Sequence, residues 1–219
     1  MTALIVKVIA SYLIGSLIGS LIVGRLRGGV DIRTLGSGNA GGTNALRTQG
    51  KSFALWVMII DIGKGLIATR LIAPATLQVF GIPDAPSDVA QWLPVACAFA
   101  AIIGHIYPVW YGFRGGKGVA TLVGVVLGLD PTLLLAVLIV WLVCVMLFGF
   151  VSLGSMVASA SVAIFVAASG MQPQLPLMAF GVAVTALVVF THRSNIARLR
   201  AGTEPRARRL WLLGRGRQG

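Results

Sequence analysis

Glycine, hydroxyl, amide and guanidinium groups are concentrated in a segment near the N-terminus that could bind an anion. This first motif reads LGSGNAGGTNALRTQGK, from residue 35 to residue 51. Glycine lets the backbone approach a bound group closely, and the polar side chains can donate hydrogen bonds to a phosphate. The candidate ligand-binding residues of this motif are Gly36, Ser37, Gly38, Asn39, Thr43, Asn44 and Arg47.

The first motif also contains the letters of a dinucleotide-binding fingerprint. Gly36-x-Gly38-x-x-Gly41 has the required spacing, and Asp61 stands about twenty residues further on, where a ribose-binding acid would be sought. That fingerprint needs a preceding strand, a following helix and a parallel sheet around them. Here the flanking segments are apolar runs typical of membrane spans, so the context argues against a dinucleotide site.

A second motif, GHIYPVWYGFRGGKGVAT at residues 104–121, offers another anion site. It is not a Walker A motif, because positions 111 and 118 lack the required glycine and hydroxyl residue. Glycine amides beside a lysine, ahead of an apolar helix, could still turn toward one phosphate. Equally, the segment could be a turn that Arg114 and a lysine hold at the membrane interface. The candidate residues are Gly115, Gly116, Lys117 and Gly118.

A third motif, THRSNIARLRAGTE at residues 191–204, places His192 beside Arg193 and Asn195. With cations in all three motifs, the sequence favours a ligand that has more than one anionic group. The chain has only 6 Asp and Glu residues and 2 His residues, and these offer no metal cage. We therefore expect no metal and no cofactor.

Two further pairs of polar residues lie in apolar runs. Asp61 and Lys64 are three residues apart, so on a helix they share a face and can form an internal ion pair, with a substrate contact as the second interpretation. Ser152 and Ser155 stand at the start of another run, where they could cap the helix or donate to a ligand. We expect Ser152 to be the cap.

The elements that must position these residues are membrane helices. With 57% hydrophobic and 11% charged residues and a mean hydropathy of +0.90, the chain of 219 residues is too apolar for one water-soluble core. The composition predicts an all-α integral membrane protein, a bundle of about seven transmembrane helices, with six as the alternative because the fourth run is short. The apolar runs cover residues 3–24, 52–73, 91–110, 118–129, 132–149, 152–169 and 175–191.

Charge predicts the topology. The net charge of +12 comes from loops and from the C-terminus, which favours a topology signal and attraction to anionic lipid over nucleic-acid binding. Lys and Arg follow the first, third and seventh runs, so these segments should be cytoplasmic and the N-terminus outside. We expect one transmembrane domain at residues 1–196 and a basic cytoplasmic tail at residues 197–219.

Three blocks of the sequence together resemble a known family. SGNAGGTNALR at residues 37–47, GHIYPVWYGFRGGKGVAT at 104–121 and HRSNIARLRAGTE at 192–204 are similar to the motifs of the bacterial acyl-phosphate-dependent glycerol-3-phosphate acyltransferases, the PlsY family. The first block departs from the usual S-G-N-P-G-A-T-N at Ala40 and Gly42, which should loosen the loop without removing a functional group. The second block has Arg114 where lysine is common.

The resemblance implies a multi-pass enzyme of the bacterial inner membrane with a cytoplasmic active site. It would transfer a fatty acyl group from acyl phosphate to the 1-hydroxyl of glycerol 3-phosphate, with membrane lipid as its surroundings. Because acyl phosphate has a good leaving group, no covalent intermediate is required, with a nucleophilic Ser37 as the alternative. By motif position, the resemblance implies essential roles for Ser37, Arg47, Lys117, His192 and Asn195 and substrate contacts for Gly115, Gly116, Ser155 and Glu204. The general base could be His192 or a phosphate oxygen of the donor.

Two other classes of protein fit parts of the pattern. A small organic-anion transporter would use glycine loops and broken helices, but the basic residues gather at one face and no inverted halves are visible. A noncatalytic scaffold for anionic lipid would account for the eight arginines from Arg193 to Arg217, but would leave the polar residues of the first motif without a role.

Overall fold

The computed structural model describes residues 1–213, and all regular structure in this part of the chain is helical. Residues 214–219, the end of the expected tail, lie outside the described residues. The helices are α1 Thr2–Gly15, α2 Gly19–Leu26, α3 Gly42–Gln49, α4 Lys51–Ile67, α5 Ser87–Ala90, α6 Leu93–Ile106, α7 Val119–Leu129, α8 Pro131–Phe148, α9 Val151–Ser169, α10 Gln174–Thr191 and α11 Arg193–Arg200.

By length and composition, residues 1–213 contain five helical segments able to cross a bilayer, and the pair α1 and α2 makes a sixth although it bends by 45°. Helix α7 has 11 residues, fewer than the ~20 that cross the hydrocarbon, so its full crossing stays a prediction. The protein is thus a multi-pass, all-helical membrane protein. The five segments are Lys51–Ile72, Leu93–Tyr111, Pro131–Phe148, Val151–Ser169 and Gln174–Thr191.

The described part of the chain folds as two compact units, Met1–Asp130 and residues 131–213. The first unit contains α1 to α7 and the first two motifs; the second contains α8 to α11 and the third motif. The predicted division into residues 1–196 and 197–219 stays a prediction. In the structure, position 197 falls inside α11 rather than at its end.

Small residues let helices of the first unit approach closely. A Cβ atom added to Gly15 would collide with the backbone of Ala101 on α6, and one added to Gly104 would collide with the carbonyl of Tyr12 on α1. Such contacts maximise van der Waals packing where lipid provides no hydrophobic driving force.

In the second unit, α9 packs against both of its neighbours. A Cβ atom on Gly154 would lie 2.8 Å from the Val145 side chain on α8. On the other side, the Thr185 hydroxyl of α10 donates a 2.9 Å hydrogen bond to the Ser159 carbonyl. Helix α9 is therefore held between α8 and α10, with Ser152 and Ser155 in its first two turns.

Candidate functional site

The Asn44 side chain organises the first motif from a buried position on α3. Its Oδ1 atom accepts a 3.0 Å hydrogen bond from the Ser37 amide. Its Nδ2 atom lies 3.0 Å from each of three backbone carbonyl oxygens, those of Ile32, Leu35 and Asn39. Because these protein groups engage both ends of the amide, Asn44 shapes the loop, and its predicted substrate contact stays a prediction.

Two glycines of the first motif have backbone conformations that side chains rarely adopt. Gly36 and Gly38 have φ of +56° and +71°. A Cβ atom on Gly36 would also collide with Asn44 Oδ1. Glycine at position 36 is therefore needed to let the loop fold over the Asn44 amide.

The side chains that the first motif leaves exposed are those that could reach a ligand. Ser37, Thr43 and Arg47 are exposed. Thr43 and Arg47 are four residues apart on α3, so they lie on one face of that helix. Asn39 is half-buried, and its Oδ1 atom accepts a 2.9 Å hydrogen bond from the Gly41 amide just before the helix.

The glycines of the second motif pack against the end of α6. The Gly115 amide donates to the Ile106 carbonyl and the Gly116 amide to the His105 carbonyl, each at 3.1 Å. A Cβ atom on either glycine would collide with His105. Backbone carbonyls therefore accept hydrogen bonds from both amides, and the predicted contact of Gly115 and Gly116 with an anion stays a prediction.

Lys117 and Gly118 lie directly ahead of α7. Gly118 is the N-cap residue with φ of +86°, and a Cβ atom there would lie 3.0 Å from the Ile102 side chain. Lys117 is half-exposed. This places one cation beside the positive end of a helix dipole, an arrangement that favours an anion.

Arg33 binds the second motif, a structural role that its position after the first apolar run did not predict. Its Nη1 atom donates to the carbonyls of Arg114 at 3.0 Å and Tyr111 at 3.2 Å. Its Nε and Nη2 atoms bind Asp31 at 2.7 to 3.1 Å. The hydrogen bond from Arg33 holds the pKa of Asp31 below its usual value. The D-x-R spacing was the available sequence signal.

The predicted ion pair of Asp61 and Lys64 is confirmed, with 2.9 Å between Asp61 Oδ1 and Lys64 Nζ and both side chains buried. His105 joins the pair, since its Nδ1 atom lies 2.8 Å from Lys64 Nζ. This third member comes from α6, and its contact with the ion pair was not predicted because the residues are distant in the chain.

In the second unit, Glu204 gathers three donors around its carboxylate. Oε1 accepts from Ser152 Oγ at 2.7 Å and from Asn195 Nδ2 at 2.6 Å, while Oε2 accepts from Arg198 Nε at 2.8 Å. Burial by itself would raise the pKa of Glu204, but these hydrogen bonds and the Arg198 charge outweigh it and lower the pKa. Substrate binding by Glu204 stays a prediction.

The expected capping role of Ser152 is wrong. The N-cap residue of α9 is Phe150, and no side chain caps that helix. The Ser152 hydroxyl donates to Glu204 instead. Ser155 is buried and donates at 2.9 Å to the Val151 carbonyl one turn back, so its predicted substrate contact stays a prediction.

His192 is buried at the end of α10, with its Nδ1 atom 2.8 Å from the Val188 carbonyl. A carbonyl only accepts hydrogen bonds, so Nδ1 carries a proton. In a neutral His192 the lone pair of the ring is then on Nε2. Arg193 next to it is exposed and stacks over the Phe190 ring at 4.8 Å.

The predicted residues of the first and second motifs thus lie in the first unit, and Ser155 and the predicted residues of the third motif lie in the second unit. In residues 1–213, no cluster of three or more His, Cys, Asp or Glu side chains could hold a metal ion. Fold and polar loops together define a multi-pass helical membrane protein with glycine-rich, basic motifs, and anion binding by these motifs stays a prediction.

Comparison with known proteins narrows this class. A family model described as glycerol-3-phosphate acyltransferase matches residues 5–202. A glycerol-3-phosphate acyltransferase of Neisseria meningitidis is 43% identical over 197 residues, 90% of this chain and 94% of the relative. One of Aquifex aeolicus is 38% identical over 201 residues, 91% of this chain and 96% of the relative. The chain belongs to the glycerol-3-phosphate acyltransferase family.

Solved structures agree with the sequence comparison. A crystal structure of PlsY, an integral membrane glycerol 3-phosphate acyltransferase, in its glycerol 3-phosphate form matches with a TM-score of 0.78 and 35% identity, covering 94% of this chain and 96% of that one. The lysophosphatidic acid form matches with a TM-score of 0.80 and 35% identity, covering 97% and 99%.

Proposed function

We propose that this protein transfers a fatty acyl group from acyl phosphate to the 1-hydroxyl of sn-glycerol 3-phosphate, the first acylation of phospholipid synthesis. The observation that carries the proposal is the similarity along nearly the whole chain to a structure described in glycerol 3-phosphate and lysophosphatidic acid forms. These two molecules differ by one acyl ester. They are therefore the acceptor and the product of such a transfer.

The reaction needs orientation and charge stabilisation more than a protein nucleophile. The acceptor hydroxyl oxygen bonds to the acyl carbon, the bond from that carbon to the phosphate oxygen breaks, and inorganic phosphate leaves with the electron pair. The hydroxyl proton passes to a base, either His192 Nε2 or a phosphate oxygen of the donor. Cationic and hydrogen-bonding groups that hold both phosphates lower the barrier by positioning and by stabilising the leaving group.

The exposed donors of the first unit suit this task. We assign Ser37, Thr43 and Arg47 to substrate binding, because they are exposed around a loop that Asn44 holds in shape. We assign Lys117 to a phosphate, because it precedes the N-terminus of α7.

The residues of the second unit divide between direct and indirect roles. We assign His192 and Asn195 to the reaction and Glu204 to positioning Asn195, because a carboxylate held by three protein donors would repel a phosphate. As a positioning residue, Glu204 would orient the Asn195 amide by accepting the 2.6 Å hydrogen bond from Asn195 Nδ2.

Charge supports a cytoplasmic active site in the bacterial inner membrane. If α7 crosses the bilayer, the seven crossings leave the two termini on opposite sides. An N-terminus outside then puts all three basic motifs in the cytoplasm, the orientation that the distribution of Lys and Arg favours. With only six crossings, the third motif and its arginines would face outward. We therefore propose that α7 completes a seventh crossing and that residues 1–196 act as one catalytic domain.

A transporter would leave the break between α1 and α2 open for a substrate. Here the Gly19 amide at the break donates to Asp61 Oδ1 at 3.1 Å, and the Leu17 carbonyl accepts from Lys64 at 2.8 Å. Protein side chains occupy these groups, which favours the enzyme over the transporter.

Purified protein in lipid or detergent, given acyl phosphate and glycerol 3-phosphate, should release phosphate and form lysophosphatidic acid. Arg47→Ala and Lys117→Ala should abolish turnover while the protein stays folded, because each removes a phosphate-binding cation. Acyl-CoA in place of acyl phosphate should give no product. Absence of turnover by the unaltered protein in every lipid tested would contradict the proposal.

A further inference from the structure

Lys64 lies at the centre of a buried polar cluster, Asp61–Lys64–His105, beneath both motifs of the first unit. An ammonium group has three protons, and three acceptors surround it: Leu17 O at 2.8 Å, His105 Nδ1 at 2.8 Å and Asp61 Oδ1 at 2.9 Å. Asp61 Oδ1 also lies 3.4 Å from His105 Nδ1, but Lys64 Nζ is nearer, and because a charged lysine only donates, we assign Nδ1 as the acceptor from Lys64. The proton of a neutral His105 is therefore on Nε2.

The cluster first closes the break between α1 and α2. A break frees backbone groups that would be costly to leave unpaired inside a membrane. Lys64 binds the Leu17 carbonyl, and Asp61 Oδ1 accepts a hydrogen bond from the Gly19 amide at 3.1 Å. The charged pair thereby fixes the start of α2 to α4. Lys64 pairs the free carbonyl on one side of the break, and Asp61 pairs the free amide on the other.

From the break, the connection continues to the first motif. Ser20, the residue after Gly19, is buried, and its hydroxyl donates a 2.7 Å hydrogen bond to the Ala40 carbonyl. Ala40 is itself buried and precedes α3, on which Thr43 and Arg47 lie. The position of the first motif thus depends on where the cluster holds the start of α2.

The third member of the cluster supports the second motif. The His105 carbonyl accepts a hydrogen bond from the Gly116 amide at 3.1 Å, and Gly116 lies so close over the ring that a Cβ atom would collide with Nε2. The next residue is Lys117. The ring orientation that Lys64 imposes through Nδ1 therefore sets the surface on which the second motif rests.

We propose that Asp61, Lys64 and His105 are positioning residues of the reaction, which hold the first and second motifs at a fixed spacing without contacting substrate. This inference rests on the proposed function. It differs from a general anchoring role, since loss of the cluster should misplace two substrate-binding loops at once rather than only loosen the bundle.

A matched pair of lysine variants separates the two roles. Lys7 is also buried in this unit and also donates to a backbone carbonyl, that of Ala73 at 2.8 Å, but it lies near the start of α1. Lys64→Met and Lys7→Met should both lower the melting temperature. Only Lys64→Met should lower kcat/KM, by at least about tenfold for both substrates, while Lys7→Met stays within about twofold of the unaltered protein. Equal effects of the two variants on kcat/KM would overturn the inference.

Two variants of His105 test the contact with Lys64 directly. His105→Asn places an amide oxygen near the position of Nδ1, so Lys64 keeps a hydrogen-bond acceptor. His105→Leu keeps a side chain of similar bulk but removes the acceptor. Asn should retain more of the activity than Leu at comparable melting temperature. The reverse order, or equal loss, would contradict a role for the Lys64 contact.

If Lys64→Met cannot be purified, the double variant Asp61→Asn/Lys64→Met removes both charges and leaves neither one buried alone. It should fold and still show the loss of kcat/KM, and full activity in it would overturn the inference. Failure of the unaltered protein to transfer acyl groups would instead contradict the proposed function, independently of the cluster.

Discussion

The Ser152 hydroxyl donates a 2.7 Å hydrogen bond to Glu204 Oε1, which joins the first turn of α9 to a residue 52 positions later in the chain. The same oxygen accepts from Asn195 on α11. The Glu204 carboxylate thus connects α9 to the third motif, so we expect its loss to lower both the stability and the activity of the protein.

Replacement of Glu204 by Gln should lower stability and activity together. The amide keeps the size of the side chain but loses the negative charge that three donors share. Hydrogen bonds to charged groups contribute ~1.5–3 kcal/mol each, and the half-exposed partner Arg198 contributes less. Thermal unfolding in detergent measures the first effect and phosphate release the second. A variant as stable as the unaltered protein would argue against this role, and Asp84→Asn, at an exposed position, serves as the control.

The contribution of Glu204 should also depend on pH. Its pKa is lowered in the folded protein from an ordinary value of 4.5, so the stabilisation is fully present above that value and is lost as pH falls through the folded pKa. The difference in melting temperature between the unaltered protein and Glu204→Gln should therefore be constant at neutral pH and shrink below pH 4.5. A difference in melting temperature that grows on acidification would contradict a lowered pKa of Glu204 in the folded protein.

Variants of the neighbouring residues Asn44 and Thr43 should distinguish a residue that stabilises the first motif from one that binds substrate. Asn44→Ala leaves the Ser37 amide and three carbonyls without their partner, at a cost of ~1–3 kcal/mol for each buried group left unsatisfied, and should reduce both melting temperature and activity. Thr43→Ala alters an exposed side chain and should reduce activity at unchanged melting temperature. If both variants keep their melting temperature, Asn44 does not organise the loop.

Gly116→Ala should displace the second motif through a steric clash with His105 and so lower activity. The added methyl group would meet the His105 ring, and overpacking of this kind costs ~1–3 kcal/mol. Gly63→Ala is the matched control, since a Cβ atom there meets nothing within 4 Å and alanine favours the helix. Activity and melting temperature should fall for Gly116→Ala alone. Retention of full activity by Gly116→Ala would mean that the loop can move away from His105 without consequence.

Several features of the protein follow from sequence because the signal is local. Hydropathy identifies membrane helices, because each helix satisfies its own backbone hydrogen bonds and must present apolar side chains to lipid. Helix periodicity places Asp61 and Lys64 on one face, and their ion pair is confirmed. Each of the three motifs is one continuous stretch of the chain, so its polar composition can be recognised without knowledge of the fold.

Other features could not be predicted, because the partners are distant in sequence and many are backbone carbonyls, which every residue carries. The acceptors of Arg33 lie 78 and 81 residues away, and the donor that Ser152 provides for Glu204 comes from 52 residues away. The glycine amides of the second motif suggested an anion site, yet tertiary packing turned two of them toward carbonyls of α6. Sequence alone identified the candidate residues for substrate binding and chemistry. Only the tertiary structure decided which of them face outward to a ligand and which hold the others in place, because buried polar groups must find partners wherever the fold brings them.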